Sequence, residues 1–193
     1  PQLAEFGLRD LADQVREMSI GLGLNEAITH SLIERGLLRG LEGWFDGRSV
    51  EIMNPLSKEQ EILRPTLLTG LLLAVARNFN QQQERVCLFE IANTFADEGK
   101  VDPHEELKLG LAVSGKKSWV TPSGMMKDEY GILHLKGIIE TMLVRLKVKE
   151  YSFLEQGDGM VALMIGDEKV GLLASLPRPV MERFEIKNKD VAA

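Results

Sequence analysis

Apolar residues at Leu8, Leu11, Val15, Met18 and Leu22 step by threes and fours, which draws one narrow stripe along a helix. A stripe that narrow calls for a partner helix. Gly21 and Gly23 end it, and the β-branched residues of "EAITHSLI", at a period of two, predict a strand next. "SVEIMNP" predicts another short strand, stopped by Asn54-Pro55 because proline lacks a ladder donor and restricts its predecessor. Ser57 to Gln60 fits a capping-box turn. Leu63, Leu67, Leu68, Leu71, Leu72 and Val75 then recur at helical spacing, with Pro65 suited to the first turn.

"RVCLFEIANTF" is apolar from Val86 to Ile91 except at Glu90, the pattern of a central strand buried on both faces. Leu107, Leu109, Leu111 and Val113 alternate with Lys108, Gly110, Ala112 and Ser114, which predicts a strand with one covered face, antiparallel to the first. "KKSWVTPSGMMKDEYG" has loop composition, and Ile132, Leu135, Ile138, Ile139, Met142, Leu143 and Leu146 mark a second amphipathic helix. "MVALMI", "GDEK" and "VGLLASL" predict a hairpin. Helices scattered among antiparallel strands give an α+β domain with helices laid on a sheet.

Composition narrows the function classes. The 193 residues are 44% hydrophobic and 27% charged, enough to bury a core unaided, and no apolar run approaches the roughly 20 residues that span a bilayer. A membrane partner is not expected. The single cysteine, Cys87, lies in an apolar run and reads as a buried thiol in a reducing compartment, the cytoplasm. A net charge of −6 argues against holding nucleic acid through the overall field. The chain opens Pro-Gln-Leu and closes on "KNKDVAA", so residues 1–193 are expected to be one module cut from a longer protein.

Chemistry is sparse. His30, His104 and His134 stand at no metal spacing, the run "DPHEE" reads as a solvated loop, and neither a glycine-rich phosphate loop nor a Gly-x-Ser-x-Gly elbow is present. No catalytic, cofactor-binding or metal residue is expected. Arg64, before Pro65, is left with two readings, a grip on a phosphate or a structural tie at a helix start.

The order of "GLNEAITHSLI", "MNPLSKEQEILRPTLLTGLL", "RNFN", "LFEIANTF", "HEELKLGLAVSG" and "HLKGIIETMLVRL" resembles the catalytic-like module of phenylalanyl-tRNA synthetase beta subunits over essentially the whole chain. The resemblance implies a class II aminoacyl-tRNA synthetase-like antiparallel sheet flanked by helices. It makes the stripe Leu8, Leu11, Val15, Met18 and Leu22 an association surface, with the alpha subunit and a second beta subunit as partners and tRNA(Phe) reached through the complex.

In catalytic class II members an arginine follows the aromatic residue ending the first strand of the second motif and holds the α-phosphate of ATP. Here Phe95 is followed by Ala96, and the glycine-rich strand of the third motif is missing before Arg178 and Arg183. The resemblance therefore implies a non-catalytic module, with ATP and Mg belonging to the whole complex and charging carried out by the alpha subunit. Arg64 then takes the structural reading. Ala92 stands where the family usually has glycine, "SLPRPV" replaces a His-Pro dipeptide, and "EQGDGMVALMI" lacks a His-Pro-Gly-Arg stretch. The alternative is a free-standing synthetase-like regulatory or ligand-binding module.

Overall fold

The computed structural model describes residues 2–100, 102–122, 124–187 and 189–193, without the side chains of residues 2–6 and of Trp119. Helix α1 (Gln2–Gly21) carries the predicted stripe. Gly23, at φ 85°, closes it: its N–H donates to Ile20 O at 2.9 Å and that of Leu24 to Ser19 O at 3.1 Å, the left-handed ending that favours glycine. Strand β1 (Asn25–Glu26) follows, parallel to the central strand, and β2 (Leu32–Ile33) pairs with β3 (Ile62–Leu63). The single strand expected over "EAITHSLI" is thus broken. Thr29 bonds to Glu90 through its N–H at 3.0 Å and its hydroxyl at 2.8 Å, which takes the backbone out of any ladder.

"SVEIMNP" makes one isolated bridge, Glu51 with Ile62, and Arg48 just before it makes another with Asp97, rather than a strand. The capping box at Ser57 does not form either. Residues Lys58–Gln60 are a 3-10 turn, Ser57 gives no side-chain cap, and its interaction with Glu59 is the main cause holding that carboxyl below its usual range.

Helix α2 (Leu68–Asn80) begins three residues after Pro65, not at it. Leu63 belongs to β3, and Arg64 lies between β3 and α2, its N–H donating to Ser31 O at 2.8 Å while its carbonyl accepts from Phe95 N at 3.0 Å. Thr66 Oγ1 instead serves the first turn, accepting from Leu68 N–H at 3.2 Å.

Strands β4 (Arg85–Ala96) and β5 (His104–Thr121) form the expected antiparallel pair, in register from Arg85 opposite Gly115 to Ala96 opposite His104. The segment read as a loop after Gly115 is a hairpin, since β5 runs on to pair with β6 (Gly124–Glu129). Gly115 permits it. At φ 89° it lies so close to Glu84 that a Cβ would stand 2.0 Å from the Glu84 carbonyl oxygen, and β5 departs from β4 at that point.

Helix α3 (Ile132–Arg145) and the meander β7 (Tyr151–Gly157), β8 (Met160–Ile165) and β9 (Glu168–Ala174) follow, then short α4 (Arg178–Arg183) and β10 (Val191–Ala192). Strand β10 is antiparallel to β5, with Val191 opposite Ser114, and the 191–193 segment also exchanges backbone hydrogen bonds with Ala174 and Leu176. It therefore welds the β4–β5 pair to the meander.

Alternation along β4 and β5 splits the core in two. Val86, Leu88 and Ala112 meet α2 and α4 on one face, whereas Cys87, Phe89, Leu111 and Val113 meet α3 and the meander on the other. The one-covered-face reading of β5 needs correction: Ala112 and Ser114 are fully buried, while Leu107 and Leu109 are half-exposed at 44% and 39%. Both faces are covered near the centre, and one opens toward the start of β5.

Candidate functional site

Ala96 has the same parity on β4 as Glu90, Ala92 and Thr94, so it shares the face covered by α2. That face is filled by protein. A Cβ on Gly110 would meet Leu71 Cδ1 at 2.8 Å and Leu67 Cβ at 3.0 Å, and one on Gly70 would meet Thr29 Oγ1 at 2.2 Å. Missing side chains let α2 lie directly on the sheet, with Leu67, Leu71, Leu72 and Val75 nearly or wholly inaccessible. At the strand end a methyl on Gly47 would stand 3.4 Å from Ala96 Cβ. Beyond it Asp97 pairs with Arg48 at 3.5 Å, and Glu98 pairs with Lys100 at 2.6 Å and faces His104 Nδ1 at 3.9 Å. The hydrogen bond from Lys100 is the first cause holding the Glu98 carboxyl below its usual range.

Arg64 enters this face from beside β3. Its Nε donates to Asn93 O at 3.0 Å, and its Nη1 donates to Glu90 Oε1 and Thr29 Oγ1, each at 2.9 Å. The Arg64 and Glu90 side chains are 4% and 3% exposed. Such burial costs each charge its hydration, so this pair stands only because Thr29 and Asn93 satisfy the remaining polar atoms. The guanidinium thus ties the approach to α2 onto β4 and the 27–31 segment. Sequence reasoning passed over Glu90 and Thr29. The signal was the lone carboxylate in an apolar strand.

The opposite face gathers the association candidates. Strand β4 places Ile91, Asn93 and Phe95 there, opposite Leu109, Leu107 and Glu105 of β5, and Glu105 is hydrogen-bonded to Asn93. Helix α1 lies against β4 and α3, and Arg16 Nε reaches Glu26 Oε1 at 2.9 Å to fasten it to β1. The stripe is not uniform. Leu8 and Leu11 are exposed at 54% and 43%, Val15 and Met18 are partly covered, and Leu22 packs into the α3-side core. The Leu22 end of α1 is therefore part of the domain, and the turn of Leu8 and Leu11 stands clear.

The remaining candidates disperse. His30 is exposed, His104 faces Glu98, and His134 lies 3.3 Å from Asp128 while Nδ1 accepts from Gly131 N–H at 3.4 Å. Among the described residues no three metal-ligating side chains come together. Cys87 is buried, and burial is the main cause pushing its thiol up, against an opposing hydrogen bond with Tyr130. No described helix is long and apolar enough to cross a membrane.

Comparison with known proteins joins these observations. A family model described as "Phenylalanyl tRNA synthetase beta chain CLM domain" matches residues 5–193. The chain is 33% identical over 187 residues to a phenylalanine–tRNA ligase beta subunit of Fusobacterium nucleatum, covering 91% of this chain and 23% of that one. It is 35% identical over 184 residues to that of Moorella thermoacetica, covering 89% and 22%. The chain thus spans under a quarter of the length of these relatives. Among solved structures it is similar to PylSc, a pyrrolysyl tRNA synthetase of Desulfitobacterium hafniense, with a TM-score of 0.67 at 17% identity, over 96% of this chain and 62% of that one. That likeness establishes the fold, an antiparallel sheet with helices of the class II synthetase type.

Proposed function

Because the chain belongs to the phenylalanyl tRNA synthetase beta chain CLM domain family, we propose that it is a non-catalytic module of a longer, cytoplasmic phenylalanine–tRNA ligase beta subunit. Its work is assembly. It holds the alpha subunit or a second beta subunit while the alpha subunit charges tRNA(Phe) at the expense of ATP. The observation that carries this reading is the closed α2 face: Ala96 supplies no charge for a phosphate, and leucines at the start of α2 pack onto the face of the sheet that Ala96 shares. One preorganised donor is worth about 10²- to 10³-fold in rate, so the loss is large. ATP and Mg²⁺ do not fit this packed face, whose buried cation Arg64 is already bound to Glu90, and are assigned to the alpha subunit.

The clear end of α1 supports the assembly role, since apolar strips free of their own core are the material of obligate interfaces. The test pairs two measurements. The isolated module should show no phenylalanine-dependent pyrophosphate exchange, and clear exchange would end the non-catalytic reading. In the full beta subunit, Leu8→Glu with Leu11→Glu should block co-purification of the alpha subunit while circular dichroism and melting are kept. Normal assembly would move the interface elsewhere.

A further inference from the structure

Strand β7 is the outer strand of the β7–β8–β9 meander, and one of its two sides has no strand beside it among the described residues. Gly166 N–H donates to Glu150 O at 3.1 Å, which makes residues 150 and 166 a hydrogen-bonded pair of the antiparallel ladder. In that register Ser152 faces Met164 and Leu154 faces Ala162, so these two also spend their backbone groups on β8. Tyr151, Phe153 and Glu155 alternate with them and turn N–H and C=O to the open edge.

Open edges are normally guarded by charge, proline or a bulge. Strand β6, which also has a free side, carries Lys127, Asp128 and Glu129. Strand β7 is guarded at one end only, by Glu155 and the bulge between Glu155 and Gly157. From Tyr151 to Leu154 it has neither charge nor proline. Tyr151 and Phe153 lean on the α3-side core with their rings edge-on at 6.1 Å, which holds the strand in place, and Leu154 on the other face is 48% exposed.

We infer that β7 is a site of strand addition and that its occupant is β7 of a second copy of this chain. The edge is complementary to itself. With a twofold axis at Phe153, two antiparallel copies set Phe153 opposite Phe153 and Tyr151 opposite the second copy's Glu155, so every outward backbone group finds a partner. A shift of one residue would set outward groups against inward ones. In the twofold register Ser152 stands opposite the second copy's Leu154, and the two copies of Leu154 lie diagonally and cover each other. Lys149 lies diagonally from the second copy's Glu155, and no carboxylate faces another. An unrelated extended peptide could use the backbone groups but has no reason to match these charges. The pairing is confined to β7 and does not rest on the assembly reading of α1.

A contact this narrow falls below the about 1,200 Å² of a standard interface, so self-association is weak and set by concentration. The test is sedimentation equilibrium of the full chain from about 10 µM to about 1 mM, over which mass action should carry monomer to dimer. Ser152→Lys with Leu154→Lys sets lysine against lysine across the axis and should raise the dissociation constant about ten-fold or more. Ser152→Lys with Leu154→Glu sets lysine against glutamate and should bring it back to within about three-fold of wild type at low salt. Both positions are exposed, so the fold is kept, and circular dichroism verifies it. A wild-type chain that stays monomeric throughout, a dimer indifferent to the double lysine variant, or a lysine–glutamate variant that stays monomeric would overturn the proposal. So would loss of the dimer in Leu8→Glu with Leu11→Glu, which would put the contact on α1.

Discussion

Replacing Arg64 by methionine would test what holds the α2 face together. Glu90, 2% exposed, would keep only Thr29 of the partners described above, and a buried carboxylate stripped of its cation typically destabilises by about 3–5 kcal/mol. For a chain of this size about 2–4 °C of melting temperature goes with each kcal/mol, so the midpoint should fall by about 6–20 °C. Arg64→Met with Glu90→Leu should cost less than Arg64→Met alone, because no charge is left behind. It should not return to wild type. Thr29 and the Asn93 carbonyl would lose partners, and each buried group so orphaned costs about 1–3 kcal/mol. Urea melts followed by circular dichroism, with unchanged slopes, would measure the cycle. A loss below about 1 kcal/mol for Arg64→Met would refute the clamp, since a surface pair is worth no more. So would a double variant that falls by the sum of the two singles.

Leu72→Ala, at a fully buried position, should destabilise by about 2–5 kcal/mol in the same melts, and a change within about 0.5 kcal/mol would put α2 outside the core. Gly70→Ala tests sign: in a free helix interior the change gains about 1 kcal/mol, but here the new methyl meets Thr29 Oγ1, so a net loss of about 1–3 kcal/mol is expected, and a gain would show that Thr29 swings away freely. Burial raises the Cys87 thiol, so the native state holds that proton more tightly than the unfolded chain; the resulting stability is full below about pH 8.5 and is lost as pH rises through the folded value. Cys87→Ala should therefore flatten the fall of melting temperature across alkaline pH, and an unchanged profile would remove Cys87 from it. Tyr130, raised by the same burial, adds a similar fall at higher pH.

Long elements were legible because their periodicity is set by burial: α2, α3, β4, β5 and the final hairpin follow the apolar pattern. Short ones were not. Thr29 leaves the strand pattern because a carboxylate 61 residues away offers its backbone and hydroxyl a better partner. Residues 116–121 and 124–129 carry loop composition yet pair as a hairpin, and every side chain of β6 is exposed, so β6 has no buried stripe to betray it. Leu22 and Leu8 share one stripe but not one fate, since the period fixes a helix face without saying how far along it the domain extends.

The strict alternation of β4 also bears on the proposed non-catalytic role. Glu90 and Ala96 point to the α2 side, whereas Phe89, Ile91 and Phe95 point to the α1 side. A pocket on the α2 side needs space and fixed charge. Neither is free there: Gly110 and Gly70 let the helix lie close, and Arg64 is bound to Glu90 within the protein. Closing that face leaves the other untouched, because neighbouring residues on a strand answer to opposite layers. On the proposed reading, an association surface on the α1 side can therefore persist without a catalytic pocket on the α2 side, because the residues that would build each belong to different layers.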